Sequence, residues 1–202
     1  MMTADNSANG RVDKDEVSIP PELRPVVKAI ADQSLPPVDK WTPTRLIKIP
    51  MRIGRDGQWY YQGTPILRPA LVRLFASVLR REPDGEIYLV TPGEKYQIDI
   101  DDAPFVAKEL TVSGSGEDQV LAMRTNMDEY VIISEDNALF MDESGPSVGA
   151  SPYVHVRGGM NALVSRPVYY ELVDLAVPSA ADPNVMGVYS KGAFFSLGTV
   201  TA

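Results

Sequence analysis

There is no cysteine in this 202-residue sequence and only one histidine. The first absence excludes a disulfide framework, thiol catalysis and thiolate metal sites. The second leaves His155 as the sole histidine for a Ser-His-Asp triad, and it lies on an expected strand flanked by valines, where a structural or solvent-facing role fits better. One histidine without cysteine also makes a catalytic zinc site an unfavourable reading. No run approaches the roughly 18 apolar residues of a membrane span, and residues 1–18 carry no apolar stretch of signal-peptide length. A cytoplasmic protein is expected. There is no Gly-x-x-x-x-Gly-Lys-Ser/Thr phosphate loop. Positive charge is scarce: 19 Lys and Arg against 27 Asp and Glu give a net charge of −8. That argues against a nucleic-acid polymer as partner, which requires clustered cations, while leaving room for a local basic pocket.

What is present reads as a soluble globular composition, with 44% hydrophobic and 23% charged residues. Residues 1–18 are polar and mixed in charge, and read as a disordered tail. A short helix is expected from Pro20 or Pro21, with Leu23, Val27 and Ile30 on one face. The proline-rich stretch Ser34 to Pro43 reads as an extended connector with Trp41 as its anchor.

Two stretches resemble each other. Arg55-Asp-Gly leads through Trp59-Tyr-Tyr61 to Arg68-Pro69, and Arg157-Gly-Gly leads through an apolar run to Arg166-Pro167. Each has a turn pair suited to positive φ, a short strand, and a proline placed for a first helical turn. The expected unit is strand, turn, strand, helix, present twice, with helices near Pro69–Arg81 and Pro167–Ala176. Between them lie many short strands about ten residues apart, the pattern of an antiparallel roll or barrel. An α+β protein is expected: a small N-terminal domain over 19–84 and a β-rich domain over 85–202, closed by the second helix and a tail hairpin.

Candidate chemistry divides in two. Asp99, Asp101 and Asp102 have the oxygen ligands Mg²⁺ prefers, which defines a hydrolase alternative; a solvated strand end is the plainer reading. Arg68 and Arg166 stand at matching helix starts, where free N–H groups and a guanidinium favour phosphate or carboxylate. Pairing with carboxylates of their own domains is the competing reading. Trp59 and Tyr61 share a strand face and could form an aromatic platform. Arg157 adds charge, and Thr125 and Asn126 add hydrogen bonds. Together these seven residues favour a nucleotide-like anionic ligand at a domain interface and a regulatory protein over an enzyme. No cofactor is expected, and a pure protein-interaction module is the third possibility.

Several motifs carry a resemblance: Trp41-Thr-Pro43, Arg55-Asp-Gly-x-Trp59-x-Tyr-x-Gly63-Thr-Pro-Ile, Arg68-Pro-Ala-Leu-Val-Arg-Leu-Phe75, Leu89-Val-Thr-Pro92, Asp102-Ala-Pro-Phe105 and the Gly-Ala-Phe-Phe tail. From about Pro36 to Gly198 the sequence resembles the uncharacterised bacterial family catalogued as domain of unknown function 1285. The resemblance implies a duplicated two-domain core with a C-terminal domain similar to pleckstrin-homology folds. It also implies an interdomain site and a role in signal transduction.

Overall fold

The structure is a computed structural model and describes residues 35–146 and 149–200. The expected N-terminal tail and the helix after Pro20 lie outside the described residues. Of the connector, residues 35–43 are described, and they include a 3-10 turn at Val38–Lys40 rather than a wholly extended path. The Arg80 guanidinium fixes this stretch by donating to the carbonyls of Val38 and Trp41 at 2.6 and 2.8 Å.

Six strands form the first sheet: β1 (Arg45–Ile53), β2 (Trp59–Tyr61), β3 (Thr64–Pro65), β4 (Leu79–Arg81), β5 (Ile87–Val90) and β6 (Glu94–Ile100). Their order is β3-β2-β1-β6-β5-β4. Helix α1 (Pro69–Ser77) connects β3 to β4 and begins with proline after Arg68. Its residues Val72, Phe75 and Ala76 pack on the core at helical spacing. The helix stops at Ser77, short of the expected Arg81, because Leu79–Arg81 pair antiparallel with Ile87–Leu89 instead.

The second sheet contains β7 (Phe105–Ser113), β8 (Val120–Thr125), β9 (Tyr130–Ile132), β10 (Leu139–Asp142), β11 (Ser151–Arg157) and β12 (Met160–Val164), in the order β10-β11-β12-β7-β8-β9. Helix α2 (Arg166–Asp174) follows β12 and buries Val168 and Leu172. Three strands, β13 (Val177–Pro178), β14 (Val185–Ser190) and β15 (Ala193–Thr199), make a third sheet. The expected tail hairpin is β14–β15. Ser190, fully buried, holds it to the second sheet by donating to the Ile133 carbonyl at 2.7 Å and accepting from the Leu121 N–H at 3.0 Å.

The sequence expectations need three corrections. The second sheet is mixed, not wholly antiparallel: β12 and β7 run parallel at its centre. The change of sheet falls at residues 101–104 and not at Asp84–Gly85, because β5 and β6 complete the first sheet. The two Arg-Pro stretches also differ locally. Gln62 and Gly63 take positive φ (51° and 78°) and fold Trp59–Pro65 into a tight hairpin before α1, whereas β12 runs straight into α2. What the two sheets do share is strand order. Each is two three-stranded meanders joined by a parallel pair, β1 with β6 and β7 with β12. One apolar core spans both sheets, from Ile53, Trp59 and Leu79 to Phe105, Leu121 and Leu172.

Candidate functional site

Between the β1–β2 turn and the second sheet lies a cleft of about 510 Å³. Arg55 and Asp56 form one wall. Val106 and Lys108 of β7, Ser151 of β11, and Ser165, Arg166 and Tyr169 at the start of α2 form the others. The turn is rigid: Gly54 and Gln58 pair N–H to carbonyl at 2.8 Å, and Asp56 Oδ1 accepts the Gln58 N–H at 3.0 Å. Arg55 is held as well. Its Nε pairs with the nearly buried Asp102 carboxylate at 2.9 Å, and one Nη donates to Ser151 Oγ at 3.3 Å. The Tyr153 hydroxyl donates to the other oxygen of Asp102 at 2.7 Å. Burial, and after it this hydrogen bond to a carboxylate, pushes the Tyr153 hydroxyl up to about 12.

Lys108 and Arg166 are different. Both are exposed, and neither side chain has a hydrogen bond or ion pair among the described residues. Arg166 opens α2 beside Ser165, whose hydroxyl makes no capping bond. A helix start presents N–H groups without intrahelical partners and favours negative charge. The cleft therefore combines two unneutralised cations, one anchored guanidinium, a tyrosine ring and, on the turn side, the Asp56 carboxylate.

A second hollow of about 370 Å³ adjoins the first, sharing Asp56 and Lys108. Trp59, Ile66, Leu67, Pro69, Val72 and Met127 supply its apolar lining, with Asn126 at the seam.

Of the seven residues singled out from the sequence, Arg166 lines the first cleft, and Trp59 and Asn126 line the second. Trp59 is no open platform. It is fully buried, stacked on Phe75 at 6.1 Å, and its Nε1 has no hydrogen-bond partner among the described residues. Tyr61 is 44% exposed and Arg68 is exposed at the α1 N-cap; neither lines either hollow. Thr125 is buried, and its hydroxyl accepts the N–H groups of Met127 and Glu129, so it shapes a turn. Arg157 is neutralised by Glu129 at 2.9 Å and donates to the Ala76 carbonyl of α1. The sequence reading missed Lys108 and the cleft role of Arg55. A lysine directly after the buried run Phe105–Ala107, at a bulge in β7, was the available signal.

The three aspartates of the hydrolase alternative do not converge. Asp101 pairs outward with Arg52, while Asp102 turns inward to Arg55 and Tyr153. No group of three or more His, Asp or Glu that could hold a metal ion occurs among the described residues. His155 lies with Nδ1 3.0 Å from the Asp136 carbonyl, away from both hollows. No helix among the described residues is long and apolar enough to cross a membrane.

Fold and clefts define a class: among the described residues, a mostly β protein of two curled six-stranded sheets, a small third sheet and two α-helices, with a hollow at the seam of the two large sheets. The chain belongs to the DUF1285 family. It matches the domain of unknown function (DUF1285), N-terminal domain, over residues 36–103, and the protein of unknown function (DUF1285), C-terminal domain, over residues 104–197. A crystal structure of a DUF1285 family protein from Silicibacter pomeroyi DSS-3 is similar, with 44% identity and a TM-score of 0.76. The match covers 87% of this chain and 94% of that one. A second, from Shewanella baltica OS155, has 24% identity and a TM-score of 0.47, covering 62% and 91%. The comparison with curated proteins gives no match.

Proposed function

We propose that this protein binds an anionic small molecule in the cleft between its two domains and acts as a regulatory protein, not an enzyme. One observation carries the reading. Residues 104–197 hold five Lys and Arg against twelve Asp and Glu. Two of those five, Lys108 and Arg166, face one cleft without a carboxylate partner among the described residues. Two like charges facing one cleft repel each other, and a bound anion relieves that repulsion. The cleft volume is that of a small-molecule site, and domain seams are where such sites form. The shared strand order of the two sheets supports the companion idea of an internal duplication, with the ligand held between related halves. A role in signal transduction, as the family resemblance implies, and a cytoplasmic location belong to the same proposal.

The test is a thermal-shift screen against inorganic phosphate and mono-, di- and cyclic nucleotides, repeated with Lys108→Ala and Arg166→Ala. A ligand at about 100 times its dissociation constant adds roughly 2.7 kcal/mol of apparent stability. The wild type should shift and both variants should respond less. No shift by any anion at millimolar concentration, or equal shifts in the variants, removes this site.

A further inference from the structure

Resting on that reading, we infer that the ligand is an amphiphile: one anionic head, phosphate or carboxylate, in the Lys108–Arg166 cleft, and an apolar chain in the adjoining hollow. The two spaces meet at Asp56 and Lys108, so one molecule can occupy both. Both linings are about half apolar, but they differ in free charge: the first adds Arg166, unpaired among the described residues, whereas Arg73 of the second is paired with Asp128. Of the second hollow's six apolar residues Trp59 and Met127 are buried, so Ile66, Leu67, Pro69 and Val72 offer the accessible surface, with Leu67 81% exposed at the rim.

Apart from Lys108 and the buried Trp59 Nε1, the polar side chains around it already hold hydrogen bonds or ion pairs. Asn126 Oδ1 accepts the Val106 N–H at 2.9 Å and its Nδ2 donates to the Gly57 carbonyl at 3.2 Å. Gln58 Nε2 donates to the Trp59 and Ile66 carbonyls at 2.9 and 3.2 Å. Asp56 accepts the Gln58 N–H, and Arg73 pairs with Asp128 at 2.9 Å. A nucleobase placed here would lose its hydration and find few hydrogen bonds in return, a costly exchange. An alkyl or acyl chain loses nothing and covers Leu67, Pro69 and Val72. Lys108, shared by both spaces and unpaired among the described residues, holds the junction between head and chain.

Isothermal titration with inorganic phosphate, methyl, butyl and hexyl phosphate, hexanoate and a nucleoside monophosphate tests this. Affinity should rise about two- to four-fold per added methylene from methyl to hexyl phosphate. Hexanoate against hexyl phosphate identifies the head. Leu67→Ser, at a position too exposed to endanger the fold and with no added charge, should flatten the chain-length dependence, read as a smaller ratio of hexyl to methyl phosphate affinity. Lys108→Ala should weaken the whole series. Phosphate binding without chain-length dependence overturns the amphiphile and leaves the anion site standing, as does a nucleoside monophosphate that binds as tightly as hexyl phosphate. Failure of every anion to bind overturns both.

Discussion

Asn126 and Gly57 join the two domains at a point where exchanging either residue is costly. The Asn126 amide donates to the Gly57 carbonyl at 3.2 Å while its oxygen accepts from Val106. Gly57 has φ +81°, and a Cβ there would lie 2.4 Å from Asn126 Nδ2. Gly57→Ala therefore meets backbone strain and a collision together, at about 1–3 kcal/mol. Asn126→Ala leaves the Val106 N–H without its partner in a buried place, at about 1–3 kcal/mol. Urea midpoints measure both; a Gly57→Ala protein as stable as wild type would show that the turn can move away from Asn126.

Arg157 crosses the same seam. It pairs with Glu129, which is only 8% exposed, and caps α1 through the Ala76 carbonyl at 2.9 Å. Arg157→Met should cost about 3 kcal/mol, chiefly because the Glu129 charge is left buried and unpaired. Adding Glu129→Gln should recover part of that loss. If the double variant is no more stable than Arg157→Met, the lost packing over the Phe105 ring, 5.2 Å from the guanidinium, is the larger part.

Tyr153 gives a pH signature. Its hydroxyl titrates at about 12 in the fold because of burial first and Asp102 second, against an ordinary value near 10. The unfolded chain gives up this proton first. The stabilisation is thus complete below about pH 10 and is lost as pH rises towards about 12. Tyr153→Phe should cost about 1 kcal/mol at neutral pH and fall less steeply in stability between about pH 10 and pH 12. Parallel pH profiles for the two proteins would rule out this assignment.

Much of the fold was legible because it is local. The strands Ile87, Phe105, Val120 and Tyr130 begin where the alternation of apolar residues begins, and both Arg-Pro steps start helices. What was not legible depends on partners far along the chain. Leu79–Arg81 continue a helical pattern and become a strand only because Ile87–Leu89 pair with them. The parallel pairs join residues about 50 positions apart, and no turn residue records such a pairing. The site was half visible for the same reason. Arg166 sits at a recognisable helix start, whereas Lys108 and Arg55 acquire meaning only when β7 and the β1–β2 turn are brought to one cleft. Trp59 misled because its hairpin was visible in the sequence and Phe75 stacking over it was not.

The two helix starts that look alike in sequence should therefore behave differently. Arg68 and Tyr61 are exposed and line neither hollow, whereas Arg166 shares its cleft with Lys108 and Arg55. Arg68→Ala and Tyr61→Ala should each change stability by less than about 0.5 kcal/mol, as surface substitutions do. They should also leave phosphate affinity within two-fold of wild type. Arg166→Ala should be equally mild for stability, since no ion pair among the described residues is lost, but should weaken phosphate binding. A charge-assisted hydrogen bond to an anion is worth about 1.5–3 kcal/mol, or about ten-fold or more in affinity. Titrating the three variants side by side with phosphate decides between the helix starts. If Arg68→Ala loses binding and Arg166→Ala does not, the anion belongs to α1 and the cleft at α2 is structural.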